Sequence, residues 1–177
     1  MHPLARKLDE VIRNIPDFPK EGIVFKDITP VLQDFRLMSG VIRHFAQVFK
    51  DQNIDVVVGI ESRGFIFASP LAIALEASFV PVRKPGKLPA DVLRQEYELE
   101  YGSGTLEIHA DAIKKGQRVV IIDDLLATGG TLAASKALVE KLGGRVVACG
   151  VMVDLAFLNG AEKLNGTPVE ALLSYQS

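Results

Sequence analysis

Val119-Val120-Ile121-Ile122-Asp123-Asp124-Leu125-Leu126-Ala127-Thr128-Gly129-Gly130-Thr131 decides the reading of this chain. Four β-branched residues in a row make an apolar run too short for a helix, the pattern of a strand buried on both faces of a parallel sheet. Two adjacent carboxylates follow, then a short loop rich in Gly and Thr, then a helix opening at or near Thr131. Ligands of an open parallel sheet bind beyond the carboxyl ends of its strands, where this loop falls. Consecutive glycines let main-chain N–H groups converge on an anion without Cβ interference, and the helix N-terminus adds donors and a favourable dipole. A phosphate fits that description. The Thr128 and Thr131 hydroxyls can add hydrogen bonds, while Asp123 and Asp124 are suited to accept from a vicinal diol such as that of ribose. Together these groups read a sugar phosphate. Two rival phosphate motifs are absent here: no lysine follows Gly130 as a Walker A loop requires, and the spacing Gly-x-Gly-x-x-Gly does not occur.

Outward from this segment, strands are predicted at residues 55–60, 79–82, 146–153 and 169–175, beside the one at 119–122. Apolar spacing predicts helices over residues 4–15, 37–50, 65–76 and 131–142. Strands alternating with helices imply an α/β fold, a mostly parallel twisted sheet covered by helices on both faces through right-handed crossovers. Residues 97–108 alternate around Gly102-Ser103-Gly104, which predicts an exposed β-hairpin flap. With no internal repeat or linker, the 177 residues read as a single domain, residues 1–177.

The composition, 48% hydrophobic and 24% charged, is globular, and a net charge of −2 disfavours a nucleic-acid partner. The sole cysteine, Cys149, lies in an apolar run and reads as a buried core thiol. The N-terminus lacks a secretory pattern and no apolar run is long enough to span a membrane, so a cytoplasmic location with no membrane partner is expected. His2, His44 and His109 match no metal-ligand or triad arrangement.

Several other groups carry two readings each. Arg63, in Glu61-Ser62-Arg63-Gly64 after the first buried strand, can fork onto phosphate oxygens or simply occupy a turn. Arg83, Lys84 and Lys87 form either a solvated charge run or a pyrophosphate cluster. Phe25, taken alone, is a core aromatic, and Glu100, taken alone, is a solvated hairpin residue.

The Asp-Asp-Leu-Leu-Ala-Thr-Gly-Gly-Thr segment closely resembles the phosphoribosyl-pyrophosphate signature of the type I phosphoribosyltransferase family, in the form carried by its adenine-using members. The resemblance extends, in family order, to residues 19–30, Glu61-Ser62-Arg63-Gly64-Phe65, residues 83–89, Leu99-Glu100-Tyr101-Gly102 and Leu106-Glu107-Ile108. It implies transfer of the phosphoribosyl group from phosphoribosyl pyrophosphate to adenine, with a sister enzyme for xanthine or guanine, or a non-catalytic regulator, as the alternatives. Under it, Asp123 and Asp124 hold ribose, and Ala127, Thr128, Gly129, Gly130 and Thr131 hold the 5-phosphate. Ser62, Arg63, Arg83, Lys87 and Tyr101 meet pyrophosphate. The resemblance also implies a cis peptide at Glu61-Ser62 and allows Arg83 to serve a neighbouring subunit. Residues of about 1–35 become a hood over the base, with Phe25 and Leu125 on its two faces and main chain near Val24 and Lys26 reading its edge. Glu100 becomes the catalytic residue, handling the purine proton. Mg2+ is implied as a cofactor held mainly through the substrate, with no protein metal ligand, and the assembly implied is a homodimer.

Overall fold

The computed structural model describes residues 3–98 and 102–177. The chain runs through α1 (Pro3–Val11), β1 (Arg13–Ile15), β2 (Phe25–Asp27), α2 (Thr29–Gln33), α3 (Phe35–Phe49), β3 (Val56–Ile60), α4 (Gly64–Ala74) and β4 (Ser78–Val82). It continues through β5 (Val92–Glu98), β6 (Ser103–His109), β7 (Arg118–Leu126), α5 (Gly130–Lys141), β8 (Arg145–Leu155) and β9 (Val169–Tyr175). Five strands form a parallel sheet in the order β4-β3-β7-β8-β9.

Side chains on a strand alternate between faces, so strands with no polar face require cover on both sides. Val57, Val120, Ile122 and Met152 pack against Leu8 of α1, Phe45 of α3 and Phe67 and Leu71 of α4. Val58, Ile121, Cys149 and Val151 face Leu132, Leu138 and Val139 of α5, together with Leu106 and Ile108 of β6. Each fully buried aliphatic side chain contributes roughly 1.5–3 kcal/mol relative to exposure. Cys149 sits in this second layer, and burial pushes its thiol up to about 12.

The predicted sheet, with helices on both faces, forms as expected, but three elements differ from their sequence-based expectations. The first helix ends at Val11, and Arg13–Ile15 turns into a strand pairing antiparallel with β2. Arg13 donates to Asp27 at 2.9 and 2.6 Å and to Thr29 at 2.8 Å, a tertiary anchor that overrides the helical spacing of Ile15. The strand predicted at 119–122 extends to Leu126, because the longer β8 keeps pairing with it through Leu126 and Asp154. Asp123 and Asp124 therefore lie within the strand, Asp124 two residues short of its end. The hairpin opens at Val92, pairing Val92 with His109 and Tyr97 with Gly104. It is not an exposed flap throughout: Leu106, Glu107 and Ile108 are buried against the second core layer.

The β1–β2 ribbon stands apart from the main sheet. It is tied to the C-terminal strand by Lys26, whose Nζ lies 3.7 Å over the Tyr175 ring, while the Tyr175 hydroxyl donates to Asp9 at 2.6 Å.

Candidate active site

The anion loop is built by two glycines that nothing else replaces. Gly129 adopts φ +79°, and a Cβ there would overlap the carbonyl of Gly160. A Cβ on Gly130 would stand 2.8 Å from the Glu98 carbonyl oxygen and 3.1 Å from the Tyr97 ring. Among the described residues no side chain caps α5, and no carboxylate stands in its first turn, which suits its N-terminus to an external anion. Ala127, Thr128, Gly129, Gly130 and Thr131 all line one cavity of about 350 Å³, together with Ser62, Arg63, Asp123, Asp124 and Leu125.

The two carboxylates at this cavity are in different surroundings. Asp123 Oδ1 accepts from the Asp124 N–H at 2.9 Å, and the start of α4 presses on it so closely that a Cβ on Gly64 would lie 3.1 Å away. Asp124 is 4% exposed, with Arg63 Nε 3.0 Å from its Oδ2. That contact is an ion pair outside hydrogen-bond geometry, so Oδ2 is a buried acceptor without a hydrogen bond among the described residues. Burial and the charge of Asp124 push the Asp123 carboxyl well above its ordinary range. Burial also raises Asp124, opposed by the Arg63 charge. Buried like charges side by side disfavour double ionisation, and a ligand donating hydroxyl hydrogen bonds would relieve that.

The cationic segment is organised by Glu61. Arg83 donates to its carboxylate from Nε and Nη2 at 3.3 and 3.2 Å, the Lys84 N–H donates at 3.1 Å, and Lys87 Nζ lies 3.8 Å away. Burial works to raise the Glu61 carboxyl, yet the Arg83 and Lys84 hydrogen bonds and the charges of Arg83 and Lys87 hold it below its ordinary value. Lys84 lines the cavity; Arg83 and Lys87, both expected at pyrophosphate, do not, and each reaches it only through Glu61. The Glu61–Ser62 peptide is cis, as the resemblance implies.

On the base side, Phe25 is half-buried, with the Phe18 ring edge-on at 5.1 Å and the Arg63 guanidinium carbon 5.0 Å from its ring centre. Arg63 thus spans from Phe25 to Asp124. The side chains of Val24 and Lys26 alternate to the other side of β2. They line a separate cavity of about 460 Å³ with Asn14, Leu155, Phe157 and Leu158. Glu100 and Tyr101 lie outside the described residues.

Residues 31–164 match the phosphoribosyl transferase domain family. The chain is 53% identical over 168 residues to the adenine phosphoribosyltransferase of Alkaliphilus metalliredigens, an alignment covering 95% of this chain and 99% of that protein. The chain belongs to the adenine phosphoribosyltransferase family. The crystal structure of the adenine phosphoribosyltransferase from Thermoanaerobacter pseudethanolicus matches with a TM-score of 0.94 at 52% identity, covering 97% of this chain and 99% of that one. The enzyme from Saccharomyces cerevisiae, solved with an imino-altritol bisphosphate and adenine, matches with a TM-score of 0.92 at 42% identity, covering 98% and 100%.

Within this adenine phosphoribosyltransferase framework, Glu61, Tyr97 and Gly160 have no site role in the sequence reading, whereas Lys84, part of the cationic cluster read there, does line the cavity. Glu61 adjoins Ser62 and Arg63, and an acidic residue at the end of a buried strand beside them is the available signal for it. Tyr97 reaches the loop only because the hairpin folds back onto Gly130. Gly160 packs on the Ala127 carbonyl from 33 positions away, and nothing local in the sequence announces it.

Proposed function

We propose that the protein transfers the 5-phosphoribosyl group of phosphoribosyl pyrophosphate to adenine, releasing pyrophosphate and forming AMP in purine salvage. The observation that carries this reading is one cavity holding an uncapped helix N-terminus with its Gly-Gly loop, a buried acid pair and Arg63. Adenine over xanthine or guanine is supported by relatives that are adenine enzymes at 52–55% identity.

In this reading the loop Ala127–Thr131 grips the 5-phosphate while Asp123 and Asp124 accept from the ribose diol. Arg63 exchanges Asp124 for pyrophosphate oxygens, leaving the Phe25 ring for the base. Adenine N9 forms its bond to ribose C1 as the bond from C1 to the pyrophosphate oxygen breaks, with inversion, and the proton on the purine passes to Glu100. The protein positions two substrates and stabilises separated charge. The residues present fit a hard cation held through substrate: Glu61, Asp123 and Asp124 supply oxygen acceptors at the cavity. Among the described residues no group of three His, Cys, Asp or Glu could cage a metal ion. Mg2+, when bound, would neutralise the leaving pyrophosphate.

A homodimer belongs to the same proposal, supported by Ile73 at 79% exposure on α4 and Phe79 at 37% on the adjacent β4. A cytoplasmic location is supported by a buried, unpaired Cys149 that suits a reducing compartment.

The test is incubation with phosphoribosyl pyrophosphate, Mg2+ and each purine in turn, reading pyrophosphate release. Adenine alone should support turnover, and release with xanthine or guanine at equal rate would overturn the assignment. Glu100→Gln should lower kcat by roughly 10²–10⁴-fold with AMP affinity retained, the range for general acid–base catalysis. Wild-type turnover in that variant would remove Glu100 from the reaction.

A further inference from the structure

One buried carboxylate joins the hairpin to the cationic turn. Glu107, on β6, is 1% exposed and does not line the cavity. Its main chain pairs with Arg83 in both directions, the Arg83 N–H donating to its carbonyl at 2.9 Å and its own N–H donating to the Arg83 carbonyl at 2.7 Å. Its side chain reaches two further partners. Oε1 accepts from Arg94 Nε on β5 at 2.7 Å, and Oε2 accepts from the Gly86 N–H at 3.0 Å.

Gly86 has φ +76°, a left-handed conformation at the bend of the turn that carries Lys84 and Lys87. The turn has a second attachment at Glu61, which lies beside Ser62 and Arg63 of the cavity. The carboxylate of Glu107 is held ionised: the hydrogen bond from Arg94, then the Gly86 N–H and the Arg94 charge, outweigh burial and keep its carboxyl below the ordinary range. A charged acceptor fixed from both sides sets the turn's position more tightly than a neutral side chain would.

We propose that Glu107 is a positioning residue for pyrophosphate recognition, clamping the Arg83–Lys87 turn to the hairpin through Gly86 and Arg94. This rests on the reading above that the turn meets pyrophosphate. The clamp acts on one substrate and spares the other. Phosphoribosyl pyrophosphate and free pyrophosphate engage the turn; adenine and AMP, which carry no pyrophosphate, do not.

The experiment compares Glu107→Gln and Arg94→Ala with wild type in both reaction directions. Glu107→Gln keeps the shape but turns an amide donor toward Arg94 Nε or the Gly86 N–H. KM for phosphoribosyl pyrophosphate, and for pyrophosphate in the reverse direction, should rise on the order of tenfold, the effect of losing a hydrogen bond to a charged group. KM for adenine and affinity for AMP should stay within about twofold. Arg94 is 68% exposed along its side chain, so Arg94→Ala removes little packing and should show the same selective rise. The double variant should be no worse than the more impaired single one, because both changes break one network. Lys84→Ala with Lys87→Ala separates the two levels of the reading. If that pair leaves KM for phosphoribosyl pyrophosphate unchanged, the turn does not meet pyrophosphate and the proposal falls with its base. If the pair raises that KM but Glu107→Gln and Arg94→Ala leave it unchanged, or raise all KM values equally as the melting temperature drops, the clamp itself is overturned.

Discussion

Asp123 and Asp124 show how one pair of side chains trades stability for recognition. Both carboxyls are pushed above their ordinary value of 3.8, Asp123 by burial and by its neighbour's charge, Asp124 by burial against the pull of Arg63. A carboxyl raised in the folded state binds its proton more tightly there than in the unfolded chain. Its stabilising contribution is therefore complete below the ordinary value and is lost as pH rises through the raised one. Ligand recognition runs the other way, since a ribose diol needs ionised acceptors. Asp123→Asn with Asp124→Asn should thus weaken phosphoribosyl pyrophosphate binding in calorimetry while leaving the melting temperature at pH 7 equal to or above that of wild type. Wild-type affinity in the double variant would remove the ribose assignment. Melting curves from pH 4 to pH 8 should show the variant losing less stability than wild type as pH rises, as expected when a buried like-charge pair is removed.

At the scale of elements, the junction of β7 and α5 is held by backbone packed on backbone. Gly130 lies under the hairpin, where a side chain would meet the Glu98 carbonyl and the Tyr97 ring. Gly130→Val should therefore push the hairpin off the loop as well as crowd the N–H groups, abolishing AMP binding. Gly129→Ala combines a left-handed φ with an overlap on the Gly160 carbonyl, and it should destabilise by more than about 1 kcal/mol in denaturant titration. Normal AMP affinity in Gly130→Val would place the phosphate elsewhere. The hairpin is bound to the body by its inner strand, with Leu106 and Ile108 in the core and Glu107 clamped beneath.

For the whole molecule, the α4–β4 unit leaves two large apolar side chains open to solvent, Ile73 and Phe79. Ile73 projects from α4, and Phe79 on β4 meets the Phe65 ring edge-on at 5.7 Å. Ile73→Asp should convert the proposed dimer to monomer in sedimentation experiments. A dimer that persists in the variant would move the interface to another face.

The sheet, its helices and the anion loop were readable along the chain because each rests on local chemistry. Buried parallel strands declare themselves by unbroken β-branched runs, and a Gly-Gly loop at a strand end declares an anion site. Asp123, Asp124, Thr128, Gly129, Gly130 and Thr131 stand out on those grounds, and they share one cavity with Ser62 and Arg63. Other features follow from distant pairing and had no local signature. The switch from helix to strand at Arg13 depends on Asp27, the extension of β7 depends on the length of β8, and the fit of Gly129 depends on Gly160. The partners of Arg63, Glu61 and Glu107 likewise come from separate elements, and only folding brings these charges within bonding distance. Hydrophobic periodicity records which face a residue takes, whereas an ion pair across the sheet edge requires two positions to meet in space, and that meeting is set by strand order and register.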